Sequence, residues 1–156
     1  MGDIEAVTIR VASGMDEIPA ADWDACANPG GSRGSDEYPY NPFISHAFLQ
    51  ALEESGCVKA ETGWLPRHLV AEDDSGRIAA CMPCYAKGHS QGEYVFDHGW
   101  ADAYERAGGR YYPKLQCSVP FTPVPGRRLL VRAGLDGAHF QRALGQAGME
   151  LAARHP

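Results

Sequence analysis

The stretch RHLVAEDDSGRIAACMPCYA, Arg67 to Ala86, decides how this chain is read. Two apolar runs, Arg67 to Glu72 and Arg77 to Ala86, flank Asp73-Asp74-Ser75-Gly76, a polar group of residues that tolerate tight turns. That arrangement predicts a β-hairpin. Within it, Cys81-Met82-Pro83-Cys84 has the two-residue spacing of redox dithiols and of zinc sites. A redox pair needs its first cysteine at a helix N-terminus, whereas in a strand residues three apart point to opposite faces. Zinc would need two further ligands, and Cys26, Cys57 and Cys117 supply no second pair. The motif therefore reads as two core thiols, with Pro83 marking an edge or a bulge, and no metal is expected.

Upstream of the hairpin, Ile4 to Ala12 alternates Val7, Ile9 and Val11, the pattern of a half-buried strand, and Ser13-Gly14 ends it. Pro19 suits the first turn of a short helix that carries Trp23 and stops before Asn28-Pro29-Gly30-Gly31. Residues 28–40 read as a flexible loop. Ser45 is a good N-cap for a second helix bearing Phe48, Ala51 and Leu52, which ends at Gly56. Downstream, Trp100, Ala103, Tyr104 and Ala107 fall at helical spacing before Gly108-Gly109 and predict a short amphipathic helix, with Asp102, Glu105 and Arg106 on its solvated side. Leu115 to Phe121 reads as a strand, Leu129 to Val131 as a short extension beyond a Pro-rich loop. A last helix from Asp136 places Phe140, Leu144, Ala147 and Leu151 on one face. The order predicts an α/β domain with a mixed sheet flanked by helices, and no strand follows the last helix.

A chain of 156 residues supports one hydrophobic core, so a single domain over 1–156 is expected. A net charge of -6 excludes the basic stripe that phosphate backbones require, so no direct nucleic-acid partner is expected. Arg127, Arg128 and Arg132 are the one basic cluster, read either as a site for a single phosphate or diphosphate or as a solvated turn. The N-terminus resembles no signal peptide, no run reaches membrane-spanning length, and five irregularly spaced cysteines suit a reducing, cytoplasmic compartment.

Chemistry concentrates between Gly92 and Leu130. Asp97 and His98 lie where a strand-like run meets a helix and could form an acid/base pair. Trp100, Tyr104, Tyr111, Tyr112 and Lys114 are candidates for the wall of a substrate groove. Cys117 and Ser118 lack a nucleophile elbow, and no Walker or dinucleotide loop occurs. His46 and His68 read as structural.

Together, NPFISHAFLQALEESG, GWLPRHLVAEDDSGRIAACMPCYAK and the Gly92 to Leu130 segment resemble the FemAB-like family of peptidoglycan biosynthesis/recognition proteins, within the GNAT acyl-CoA N-acyltransferase superfamily. The resemblance covers Asn41 to about Arg132. It implies a GNAT-like domain that is the N-terminal part of a tandem arrangement whose second half is absent, and an acyl or aminoacyl transfer to an amine, with a peptidoglycan precursor as acceptor. Acyl-CoA or an aminoacyl donor, with aminoacyl-tRNA among the candidates, would be a co-substrate and not a tightly bound cofactor. In that scheme Leu115 to Phe121 is the strand beside the donor, and Gly126, Arg127 and Arg128 occupy the place of the donor's phosphate signature. Val124-Pro125-Gly126-Arg127-Arg128 departs from that signature, because proline removes N–H donors. The alternatives are a non-catalytic module that recognises a cell-wall peptide, or a structural half-domain that self-associates through an open sheet edge.

Overall fold

The hairpin forms, and it extends beyond its expected limits. A computed structural model describes residues 6–154, and the first two residues of the expected N-terminal strand, 4 and 5, lie outside them. From Trp64 to Lys87 the chain is one two-stranded ribbon. Strands β2 (Trp64–Pro66) and β3 (His68–Glu72) run up it, and β4 (Ile78–Met82) and β5 (Tyr85–Lys87) return. Pro66 faces Tyr85, Leu69 faces Met82, and between them Arg67 N–H donates to Cys84 O at 2.8 Å, so the register is kept across the interruption. At the turn, Asp73 Oδ1 accepts from Ser75 N, Ser75 Oγ and Arg77 N at 3.0, 2.6 and 3.1 Å. Gly76 takes the left-handed conformation, φ 81°.

Different strands flank the two ends of the ribbon. β1 (Thr8–Ala12) and β7 (Leu130–Val131) extend one end into a sheet of order β1-β3-β4-β7, and β6 (Lys114–Gln116) extends the other into β2-β5-β6. The α/β class stands, yet every pairing is antiparallel, so the expected mixed sheet is replaced by two antiparallel sheets. The expected strand Leu115 to Phe121 is replaced by the shorter Lys114–Gln116, and the chain then leaves the sheet and turns, with Phe121 at a positive φ of 61°. The strand preceding the last helix is β7.

Helices cover both faces of the first sheet. α1 (Ala20–Ala27) and α2 (His46–Glu54) pack one face around Trp23, Ile44, Leu49, Val70 and Cys81. α4 (Gly137–Arg154) lays the fully buried Phe140 and Leu144 on the other, with Leu69, Met82 and Cys84. The two cysteines of the two-residue motif thus enter opposite layers, as strand alternation requires. Ser45 caps α2, its Oγ accepting from Phe48 N at 3.3 Å. The loop 28–40 is tied at its base, where the Asn28 side chain bonds the Asn41 backbone N–H and C=O at 2.9 and 3.1 Å.

Both early histidines are structural. The His46 ring lies 2.8 Å from the carbonyls of Met15 and Ile18. His68 Nδ1 accepts from Cys84 N at 3.2 Å, which places its proton on Nε2, 2.9 Å from Glu53 Oε1. Glu53 also accepts from Met15 N at 2.7 Å, so one carboxylate joins α2 to the ribbon and to the N-terminal layer.

α3 (His98–Arg106) has the expected position but not the expected burial. Only Ala101 is buried, whereas Trp100 and Tyr104 are 76% and 54% exposed and continue a surface row from Tyr94, Val95 and Phe96. Periodicity placed these rings on one face; no described element covers it.

Candidate functional site

The second sheet has two usable faces. On the outer face Leu65, Ala86 and Leu115 stand side by side in the register of β2, β5 and β6 and form a half-buried apolar row. This row is the floor of a groove of about 700 Å³, walled by Tyr104, Tyr111 and Pro113 on one side and Leu151 of α4 on the other. Arg67 and Arg110 bring positive charge to it, and Glu61 and His89 complete its rim.

The inner face carries the charge network. Alternation along β5 turns Tyr85 and Lys87 inward, and Lys87 lies directly opposite Lys114. Two like charges across a strand pair repel unless an anion intervenes. Glu93 intervenes: its Oε2 accepts from Lys114 Nζ at 3.0 Å, and its Oε1 lies 3.9 Å from Lys87 Nζ. Asp97 closes the chain by a short ion pair with Lys114. The four charges alternate in sign.

Asp97 sits at the N-cap position of α3, but its carboxylate turns to other partners, accepting from Tyr111 Oη at 2.8 Å and Tyr112 Oη at 2.6 Å as well as from Lys114. Burial alone would raise its pKa; the bonds from Lys114, Tyr112 and Tyr111 outweigh that and hold it well below the usual carboxylate range. For Lys114 burial pulls down, and Asp97 and Glu93 more than restore it, so its ammonium is held above its ordinary value. The phenol of Tyr111, donating to Asp97, is shifted upward. Lys87 differs. Its side chain is fully buried 3.6 Å from the centre of the Trp64 ring, donates to Gln91 O at 2.9 Å, and is pushed by desolvation down to about 8, with Glu93 opposing.

Of the residues singled out in the sequence, Asp97, Tyr111, Tyr112 and Lys114 are brought together, and Tyr104 joins them through a ring contact with Tyr111, 6.1 Å between centroids. His98 is not. It is exposed and stacks on Phe96 at 5.5 Å, so the two sequence neighbours Asp97 and His98 diverge. Trp100 lies on the exposed row outside the groove. At Gly126, Arg127 and Arg128 the loop is tied by its own side chains: Arg127 donates to Ala27 O at 2.8 Å, at the end of α1, and Arg128 to Val124 O at 2.6 Å and Arg127 O at 3.1 Å within the loop. Among the described residues no three His, Cys, Asp or Glu side chains are grouped as a metal ion would require.

Sequence reasoning missed Lys87, Glu93, Arg67 and Arg110. Lys87 was within reach of it, because it follows Tyr85 at the two-residue spacing that shares a face. Glu93 carried no pattern.

Compared with known proteins, the chain matches over residues 14–156 the family model described as FemAB-like, peptidoglycan biosynthesis/recognition. No curated protein and no solved structure matches it. No described helix is long and apolar enough to cross a membrane.

Proposed function

We propose, from the premise that the chain belongs to the FemAB-like family of peptidoglycan biosynthesis/recognition proteins, that its groove is the acceptor-binding part of a GNAT-like N-acyltransferase. The acceptor is a peptidoglycan precursor whose amine receives an acyl or aminoacyl group. The observation that carries this reading is an apolar floor, Leu65, Ala86 and Leu115, bordered by the cations Arg67 and Arg110. A peptide stem would lie along that floor against Tyr104 and Tyr111, with its carboxylates met by Arg67 and Arg110.

In such a transfer the amine attacks the carbonyl of a thioester or aminoacyl ester, loses a proton, and the thiol or hydroxyl leaves. A carboxylate that already accepts three hydrogen bonds is a weak proton acceptor, so Asp97 serves to fix Tyr111 in the groove wall. The loop 123–128 spends its guanidinium donors internally and contains two prolines, so it offers no diphosphate cradle for acyl-CoA. A second reading, recognition of the cell-wall peptide without transfer, is favoured by the separation of Asp97 from His98.

Isothermal titration of the chain with a muropeptide, paired with a transfer assay using a labelled acyl or aminoacyl donor, tests both. Muropeptide binding weakened at least tenfold by Arg110→Met supports the groove. Labelled product then establishes transfer, and binding without product establishes recognition alone. Absence of heat at millimolar muropeptide refutes the groove assignment.

A further inference from the structure

Behind the Lys87-Glu93-Lys114 row lies a second cavity of about 320 Å³, between the loop 92–95 and the segments 116–119 and 122–124. Among the described residues, four buried side-chain atoms have no hydrogen-bond partner: Trp64 Nε1, Glu93 Oε1, Gln116 Oε1 and Tyr85 Oη. The first three belong to residues that line this one cavity. Buried unpaired polar atoms are costly, and an apolar residue at any of these places would remove the cost. Their collection around one cavity, with Glu93 Oε1 met only by the Lys87 ammonium at 3.9 Å, points to a ligand.

All three are held in place. Trp64, 1% exposed, is packed against Tyr85 and under Lys87. Glu93 is fixed through its other oxygen by Lys114. Gln116 Nε2 donates to Ser118 Oγ at 2.9 Å, which leaves Oε1 as the free end of the amide. The set is one donor and two acceptors. Its complement is one acceptor and two donors on a single planar group.

We propose that this cavity binds a primary carboxamide, its carbonyl oxygen accepting from Trp64 Nε1 and its NH2 donating to Glu93 Oε1 and Gln116 Oε1. An ammonium group would offer nothing to the indole N–H and would be a third cation beside Glu93, which already has Lys87 and Lys114. A carboxylate would face two acceptor oxygens. Gly92 closes the cavity: its φ is 84°, and a Cβ there would fall 2.6 Å from Trp64 Nε1 and 2.7 Å from Phe121. The carboxamide enters by displacing this glycine from the indole. The site is separate from the groove and does not depend on the transferase reading.

The three tryptophan indole N–H signals in a ¹⁵N–¹H spectrum of the whole chain test this directly. Propionamide, a dipeptide with a C-terminal carboxamide, and the same dipeptide as its free acid are titrated in turn. The Trp64 signal should shift saturably with a carboxamide, while that of Trp23, already bonded to Ile44 O at 2.9 Å, stays in place. The free acid should bind at least tenfold more weakly. Gln116→Leu should abolish the shift without lowering the melting temperature. Saturation by both amides supports the site as a general carboxamide pocket, and saturation by the dipeptide amide alone supports it with a peptide as source. An unmoved Trp64 signal with both amides, an acid that binds as well as its amide, or a Gln116→Leu chain of unchanged affinity and intact fold would each overturn the proposal.

Discussion

Replacing Asp97 by Asn asks whether α3 is held by hydrogen bonds instead of packing. Ala101 is the one buried residue of that helix, so its attachment rests on Asp97, whose carboxylate reaches across to Tyr111, Tyr112 and Lys114. Asn keeps the shape. Its Oδ1 can still accept from Tyr112, and its Nδ2 can donate to a reoriented Tyr111 hydroxyl, but the Lys114 ammonium then faces an NH2 group. One charge-assisted bond is lost, worth about 1.5–3 kcal/mol, and two others fall to neutral strength, about 0.5 kcal/mol each. Lys114 recovers part of this by turning wholly to Glu93, 3.0 Å away. A net loss of about 2–3 kcal/mol corresponds to roughly 30- to 150-fold in the opening equilibrium. Hydrogen exchange reads it locally: amides of α3 should exchange faster by about that factor, while those of Ala80 and Cys81 in β4 hold their rates. Lys114→Met should act on the same amides, and the double variant should lose little more than either alone. Unchanged exchange in α3, an acceleration shared equally by β4, or strict additivity would refute the reasoning.

Three further outcomes follow from the same contacts. Because the folded pKa of Asp97 lies below its unfolded value, its contribution is present above the ordinary carboxylate pKa and is lost as pH falls through and below it. The melting-temperature gap between the native chain and Asp97→Asn should therefore be full near pH 7 and shrink below about pH 4; a gap constant down to pH 2 contradicts this. Tyr85→Phe removes a buried hydroxyl without a partner and should leave stability unchanged or raise it by up to about 1 kcal/mol in urea unfolding, so a clear loss would count against the unpaired assignment. Glu53→Ala strands the buried His68 Nε2–H and the Met15 N–H, a cost of about 2–5 kcal/mol. Thermal melting should fall by roughly 5–15 °C, with Glu53→Gln much milder; a drop under about 2 °C would dismiss the bridging role.

What could be read from the sequence was what local chemistry determines. The Asp73 turn, the Ser45 cap and the Phe140/Leu144 stripe each depend on residues a few positions apart, and each appears where its pattern indicates. The division of the ribbon between two sheets could not be read, because it is imposed by β1, β6 and β7, which arrive from distant parts of the chain. The Trp100/Tyr104 stripe shows a related limit: periodicity says which side chains share a face, not what lies against it. For the site, composition grouped Tyr111, Tyr112 and Lys114 as groove candidates; Tyr111 and Lys114 border the groove and Tyr112 does not. Their union with Asp97, and the alternating chain through Glu93 to Lys87, depends on a loop that carries no regular period. The pairing of Asp97 with His98 was drawn from adjacency, and adjacent residues at a helix start point different ways.

The register that β3 and β4 hand on to β2 and β5 across Arg67 and Cys84 also bears on how quickly the molecule assembles. Hairpin closure at Asp73 to Arg77 is the most local strand pairing available, and local pairings form first because they lose the least chain entropy. Propagated past Pro83, that one event lays down the central pair of the first sheet and the β2-β5 pair of the second before any distant segment has arrived. The groove floor and the wall of the second cavity are thus set in motion by a turn that touches neither. A substitution at Asp73 would slow the appearance of both sites together, while leaving their chemistry, once formed, unaltered.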